Sequence, residues 1–132
     1  LQEISCRGKQ VLLVEDNELN LEIAVELLKY AGLNITTAKN GLEGLDKFKA
    51  APPGTYALIL MDIQMPVMNG LEAAKAIRAL PVNDAQTVPI VAMTANAFPE
   101  DIAATLQAGM NEHLSKPIDL EQFHSILQKW CQ

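Results

Sequence analysis

Residues 56–61, YALILM, are apolar without a break. A strand with one wet face alternates apolar and polar side chains, whereas an unbroken run needs cover on both faces. That requirement points to an inner strand of a parallel sheet, with helices on each side. QVLLVE (10–15) and VPIVAM (88–93) are runs of the same kind, NITTA (34–38) is weaker, and EHLSK (112–116) is the poorest. Helical patterns separate them, over about 18–31, 41–50, 70–80, 99–108 and 119–131. Gly32, Gly54 and Gly109 stand at or beyond helix ends, as C-caps do, and Asp119 is placed to cap the last helix. Five strand–helix alternations imply right-handed crossovers and a doubly wound α/β sheet in a single domain. AAPPGT (50–55) is the clearest loop, and no internal repeat is visible.

The length of 132 residues and the 49% hydrophobic content support a core that needs no staples. The longest apolar run, ALILM, is far too short to span a bilayer, and no signal peptide is visible. The opening LQEISCRGKQ reads as linker from a longer protein, so residues 1–8 are expected to be linker and 9–132 the domain. Ten Lys and Arg against sixteen Asp and Glu give a net charge of −6, which argues against nucleic acid and against an anionic membrane as direct partners. Cys6 and Cys131 form neither a C-x-x-C pair nor a zinc spacing. They could pair, but free thiols in a reducing cytoplasm are the expectation. His113 and His124 are too few for a histidine-based metal site.

In open α/β sheets, ligands gather at the carboxyl ends of the strands. The first predicted strand ends in Glu15-Asp16-Asn17, the third in Asp62, the fourth in Thr94-Ala95 and the fifth in Lys116-Pro117. Two carboxylates about 5 Å apart repel by ~3 kcal/mol at an effective dielectric near 20. Three need more than one lysine to neutralise them. A hard divalent cation with oxygen ligands would do so, and Mg²⁺ is the natural choice. Taken singly, each residue has a plainer role. Asp16 could cap a helix, Asp62 could form a turn, Thr94 could simply end a strand, and Lys116 could lie in solvent. Their joint placement at four strand ends favours a site. Pro66 and Gly70 are expected to shape the loop after Asp62, and Met61, Met65, Met68 and Met93 to pack.

VEDN, MDIQMPVMNG, MTAN and LSKP, in that order, resemble the receiver domain of two-component response regulators and hybrid sensor histidine kinases. The resemblance covers about residues 9–131. It implies a flavodoxin-like (βα)5 sandwich whose parallel strands run in the order 2-1-3-4-5. It implies that Asp62 accepts a phosphoryl group from a phosphohistidine on a histidine kinase or histidine phosphotransfer domain. It further implies Mg²⁺ held by Asp16, by Glu15 through water, by Asp62 and by the Gln64 backbone carbonyl. Thr94 would hydrogen-bond the phosphoryl group and Lys116 would pair with it, after a cis Lys116–Pro117 bond. Thr94 would also act as the switch, with the residue at His113, where the family usually carries Tyr or Phe. The histidine puts the usual coupling in doubt. Gln64 and Asn96 occupy positions that tune phosphoryl lifetime in relatives. The parent is expected to be a hybrid sensor kinase, with a stand-alone regulator as the alternative. This domain would be cytoplasmic even if the parent is membrane-anchored.

On the first helix, Asn20, Ile23, Ala24, Leu27, Leu28 and Ala31 make one apolar-leaning face. Leu21 and Val25 widen it beyond one sheet contact, so they are expected to be exposed and to dock the phosphohistidine partner. An aspartyl phosphatase of haloacid-dehalogenase type would need D-x-D, and Gln64 stands at the second acid. A flavin module would need a phosphate-cradling loop where VEDNELN is acidic. A degenerate receiver is opposed by the intact acid set and lysine.

Overall fold

The computed structural model describes residues 8–95, 98–116 and 118–130, with the backbone alone for Asn83. Five strands alternate with five helices. They are β1 (Gln10–Val14), α1 (Glu18–Tyr30), β2 (Asn34–Ala38), α2 (Gly41–Ala50), β3 (Tyr56–Asp62), α3 (Gly70–Arg78), β4 (Ile90–Thr94), α4 (Pro99–Gln107), β5 (Glu112–Ser115) and α5 (Leu120–Trp130). The strands pair in parallel in the order β2-β1-β3-β4-β5. The chain therefore crosses over on one side of β1 and then on the other.

Alternate side chains of the inner strands feed two separate apolar layers. Val11, Leu13, Leu58 and Leu60 pack with Ala24 and Leu28 of α1 and with Phe123 and Leu127 of α5. Leu12, Val14, Ile59 and Met61 pack with Phe48 of α2 and with Ala73 and Ile77 of α3. Each Leu or Ile fully withdrawn from water contributes about 2 kcal/mol. Met61 and Met93 are buried, while Met65 and Met68 are partly buried against the second layer, so all four pack as expected.

Element bounds follow local chemistry. Asn17, Asn40 and Asn69 cap α1, α2 and α3 by accepting from the N–H groups of Asn20, Glu43 and Glu72 at 3.0, 2.8 and 2.9 Å. Glu72 returns a bond to the Asn69 N–H at 3.1 Å, which completes a capping box. Asp119 accepts from the Glu121 N–H at 3.0 Å and so caps α5, as expected. β4 starts two residues later than the apolar run, because Pro89 offers a carbonyl to Ile59 at 2.9 Å but has no N–H to give. α3 stops at Arg78, since Leu80 precedes Pro81 and is driven away from helical dihedrals. A 3₁₀ turn over Asn83–Ala85 had no signal in the sequence. Gly32 and Gly109 follow the C-cap residues Ala31 of α1 and Ala108 of α4, but Gly54 does not cap a helix. It sits in the turn before β3, where its N–H donates to Asp84 Oδ2 at 2.8 Å.

Arg78 ties α3 to the segments that lead into β4 and β5. Its guanidinium donates to the Gly109 carbonyl at 2.9 Å, the Ala85 carbonyl at 3.0 Å and Asn111 Oδ1 at 2.9 Å. At the amino-terminal edge of the sheet, Gly8 and Trp130 line a single cleft with Gln10, Thr55 and Pro89. The expectations for Cys6, Cys131, Asn96, the Lys116–Pro117 bond and the linker up to residue 7 fall outside the described residues.

Candidate functional site

The carboxyl edge of the sheet gathers the polar residues. Glu15 follows β1 and is 1% exposed, with its carboxylate accepting from the Asn17 N–H at 3.2 Å. Asp16 beside it is exposed. Asp62 ends β3 opposite Met93 and is 3% exposed. The Gln64 N–H donates to Asp62 Oδ1 at 3.3 Å. Thr94 ends β4, and its carbonyl accepts from the Lys116 N–H at 2.8 Å. That bond aims Lys116 back across the edge, where its Nζ stands 2.9 Å from Glu15 Oε1 and 3.0 Å from Asp62 Oδ1.

One carboxylate oxygen from each of Glu15, Asp16 and Asp62 lies within 4.8 Å of the other two. Burial, with the neighbouring Glu15, pushes the Asp62 carboxyl up to about 7 against the opposing effect of Lys116. Lys116 itself is raised, because its bonds to Glu15 and Asp62 outweigh the effect of burial, so it stays an ammonium. Three acids against one ammonium leave an anionic cleft of about 170 Å³. Its donors are all hard oxygens, which suits a magnesium-like cation rather than a thiolate-seeking metal.

Glu15, Asp16, Asp62, Gln64, Thr94 and Lys116 all line this cleft, so the residues singled out at the strand ends converge. His113 is not among the lining residues. It pairs with Ala92 in the β4–β5 ladder and is partly exposed. The expectation for α1 needs correction. Leu21 and Val25 are partly buried against the layer that includes α5 residues, so that α1 is covered from two directions. The exposed apolar side chains of α1 include Leu19 at 66% and Ile23 at 43%, the latter on the apolar-leaning face read from the sequence.

Close backbone approaches were missed. Gly70 starts α3 against the Asp62 carbonyl, and a Cβ there would overlap that oxygen. Gly41 starts α2 with its N–H on the Met68 carbonyl at 2.9 Å. The signal was present as two Asn-Gly pairs, 40–41 and 69–70, each opening a helix.

An acid-tipped central strand, an acidic pair after the first strand and a lysine after the fifth meet at one edge of a 2-1-3-4-5 parallel sheet, as in a doubly wound α/β module with an acidic ligand cleft. Residues 11–128 match the family model for the response regulator receiver domain, and the chain belongs to that family. Among curated relatives, it is 39% identical over 121 residues to the peroxide stress-activated histidine kinase mak1 of Schizosaccharomyces pombe, covering 91% of this chain and 7% of that protein. It is 37% identical over 128 residues to sensor protein GacS of Pseudomonas syringae pv. syringae, covering 96% of this chain and 14% of that protein. The chain thus spans a small part of these relatives. Among solved structures, it resembles the receiver domain of sensor histidine kinase PA1611 from Pseudomonas aeruginosa PAO1, which has a magnesium ion coordinated in its active site cleft. That match has a TM-score of 0.84 and 37% identity, covering 94% of this chain and 98% of the other. The receiver domain of Saccharomyces cerevisiae Ssk1, co-crystallised with the histidine phosphotransfer protein Ypd1, matches with a TM-score of 0.83 and 34% identity, covering 95% and 90%.

Proposed function

We propose that this receiver domain takes a phosphoryl group from a phosphohistidine onto Asp62, as one step of a phosphorelay. The observation that carries the reading is the buried Asp62 carboxylate on a rigid strand end, 3.0 Å from the Lys116 ammonium, with the Glu15 and Asp16 oxygens within 4.8 Å. An Asp62 oxygen bonds to phosphorus as the P–N bond breaks, the imidazole leaves and takes up a proton, and an acyl phosphate remains. Lys116 offsets charge on the phosphoryl oxygens, and Thr94 donates to one of them. Asp16, Asp62 and the Gln64 carbonyl would hold Mg²⁺, with Glu15 supporting it through water. When bound, the ion supplies neutralisation of the incoming oxyanion.

Phosphorylation then biases the face formed by α4, β5 and α5. Thr94 and His113 are the proposed switch pair. α4 suits such a role, for it starts without a side-chain cap and leaves Phe98 60% and Leu106 57% exposed. The parent is proposed to be a hybrid sensor histidine kinase, with this domain in the cytoplasm.

Incubation with acetyl phosphate and Mg²⁺ is expected to add one phosphoryl group by intact mass, with none on Asp62→Asn or after chelation. Full labelling of Asp62→Asn would reject the assignment. The donor protein docks on α1, where the more exposed Leu19 and Ile23 extend the contact surface of Leu21 and Val25. Leu19→Glu with Ile23→Glu should slow transfer from a histidine phosphotransfer protein at least tenfold, about 1.4 kcal/mol. Labelling by acetyl phosphate should stay unchanged. Equal transfer rates would place the docking elsewhere.

A further inference from the structure

The loop that follows Asp62 is gripped from outside the cleft. At its end, the Gly70 N–H donates to the Ile63 carbonyl at 2.8 Å, and a Cβ on Gly70 would lie 2.9 Å from Ile63 Cα. Its apex is held by a different element. The Gly41 N–H donates to the Met68 carbonyl at 2.9 Å, Gly41 is buried, and an added Cβ would overlap the Met68 carbonyl oxygen and sit 3.0 Å from the Asn69 carbonyl oxygen. Between these grips, Val67 holds φ at +70°, and the Met68 N–H folds back onto the Pro66 carbonyl at 2.7 Å. A loop clamped at both ends and strained in its middle has little slack with which to absorb a displacement. A push on Met68 therefore reaches Gln64, whose N–H bonds Asp62 Oδ1 at 3.3 Å.

We infer that Gly41 is a positioning residue for the cation and phosphoryl site. The first turn of α2 sets where the Gln64 carbonyl stands, although Gly41 lines no part of the cleft. The inference rests on the reading that the Gln64 carbonyl helps hold Mg²⁺. The plainer account is that Gly41 only lets α2 pack closely. Packing alone predicts lost stability without a change in cation affinity.

Gly109 supplies the control. It lies at the opposite edge of the sheet, has φ +97°, and an added Cβ would meet Arg78 Cγ at 2.8 Å. Gly41→Ala and Gly109→Ala should both lower Tm. Titration of each folded protein with Mg²⁺ alone, followed by calorimetry, should give a wild-type Kd for Gly109→Ala and a Kd raised about tenfold for Gly41→Ala. An unchanged Kd in Gly41→Ala overturns the inference. A wild-type protein that takes up no Mg²⁺ overturns the metal reading beneath it, and the two failures are told apart by the wild-type titration. If Gly41→Ala does not fold, amide exchange on the wild type decides. Saturating Mg²⁺ should slow exchange of the Gly41 N–H more than that of Leu33, which bonds the Leu28 carbonyl at 3.1 Å away from the site. Equal slowing of the two amides overturns the inference.

Discussion

Val67 occupies a backbone region that β-branched residues resist, with φ +70°, and it leaves 77% of its surface in water. Such strain costs about 1–3 kcal/mol, and little packing is lost if the side chain changes. Asn enters this region more readily. Val67→Asn should therefore gain about 1 kcal/mol, read as a higher urea midpoint at unchanged slope. A lower midpoint would mean that the valine side chain makes a contact worth more than the strain. Sequence alone could not reveal this, because nothing about a valine between Pro66 and Met68 announces a left-handed backbone. The charged residues of the site were different. Glu15, Asp16 and Asp62 end apolar runs, where charge is expensive unless it is used, and so they stood out, while Lys116 stood out by its place at the end of the fifth strand. Their pairing was not visible. Lys116 bridging Glu15 and Asp62 depends on the Lys116 N–H bonding Thr94, a contact between strands that are distant in the chain.

At the scale of elements, α5 is fastened to the edge strand β5 by one carboxylate. Glu112 accepts from Lys129 Nζ at 3.1 Å and from Trp130 Nε1 at 3.2 Å. Burial pushes its carboxyl up, but these two bonds and the nearby positive charge hold it below the ordinary range. A depressed carboxylate stabilises the fold above its unfolded pKa of about 4.3, and that gain fades as pH falls through the lower folded value. Glu112→Gln should lower stability at pH 7 by no more than about 1 kcal/mol, with the difference from wild type closing in acid. A difference that stays constant with pH would show that the ion pair is not its source. The inner strands were legible because unbroken apolar runs have few other uses, and the helices because periodic patterns fill the gaps between them. The Arg78 fork was not legible, since its acceptors are Gly109, Ala85 and Asn111, two of them backbone carbonyls. The exposed side of α1 was misjudged for a related reason. Periodicity reports how wide an apolar arc is, while the presence of α5 beside α1 decides how much of that arc is covered.

For the whole molecule, the anionic cleft couples cation binding to folding. A ligand at about a hundred times its Kd adds about 2.7 kcal/mol, and a domain of this size shifts in Tm by about 4 °C per kcal/mol. Mg²⁺ at that excess should therefore raise Tm by about 10 °C. Asp62→Asn should abolish most of the response while melting higher than wild type without metal, because a buried carboxylate raised to about 7 opposes folding at neutral pH. A wild-type Tm indifferent to Mg²⁺ would contradict the cation site. One further feature bears on how such a unit is used. Gly8 and Trp130 line one cleft at the amino-terminal edge of the sheet, opposite the edge that carries the acids. Whatever sits over the acids therefore leaves that opposite pole uncovered, and the reactive edge can be occupied without contact at Gly8 or Trp130.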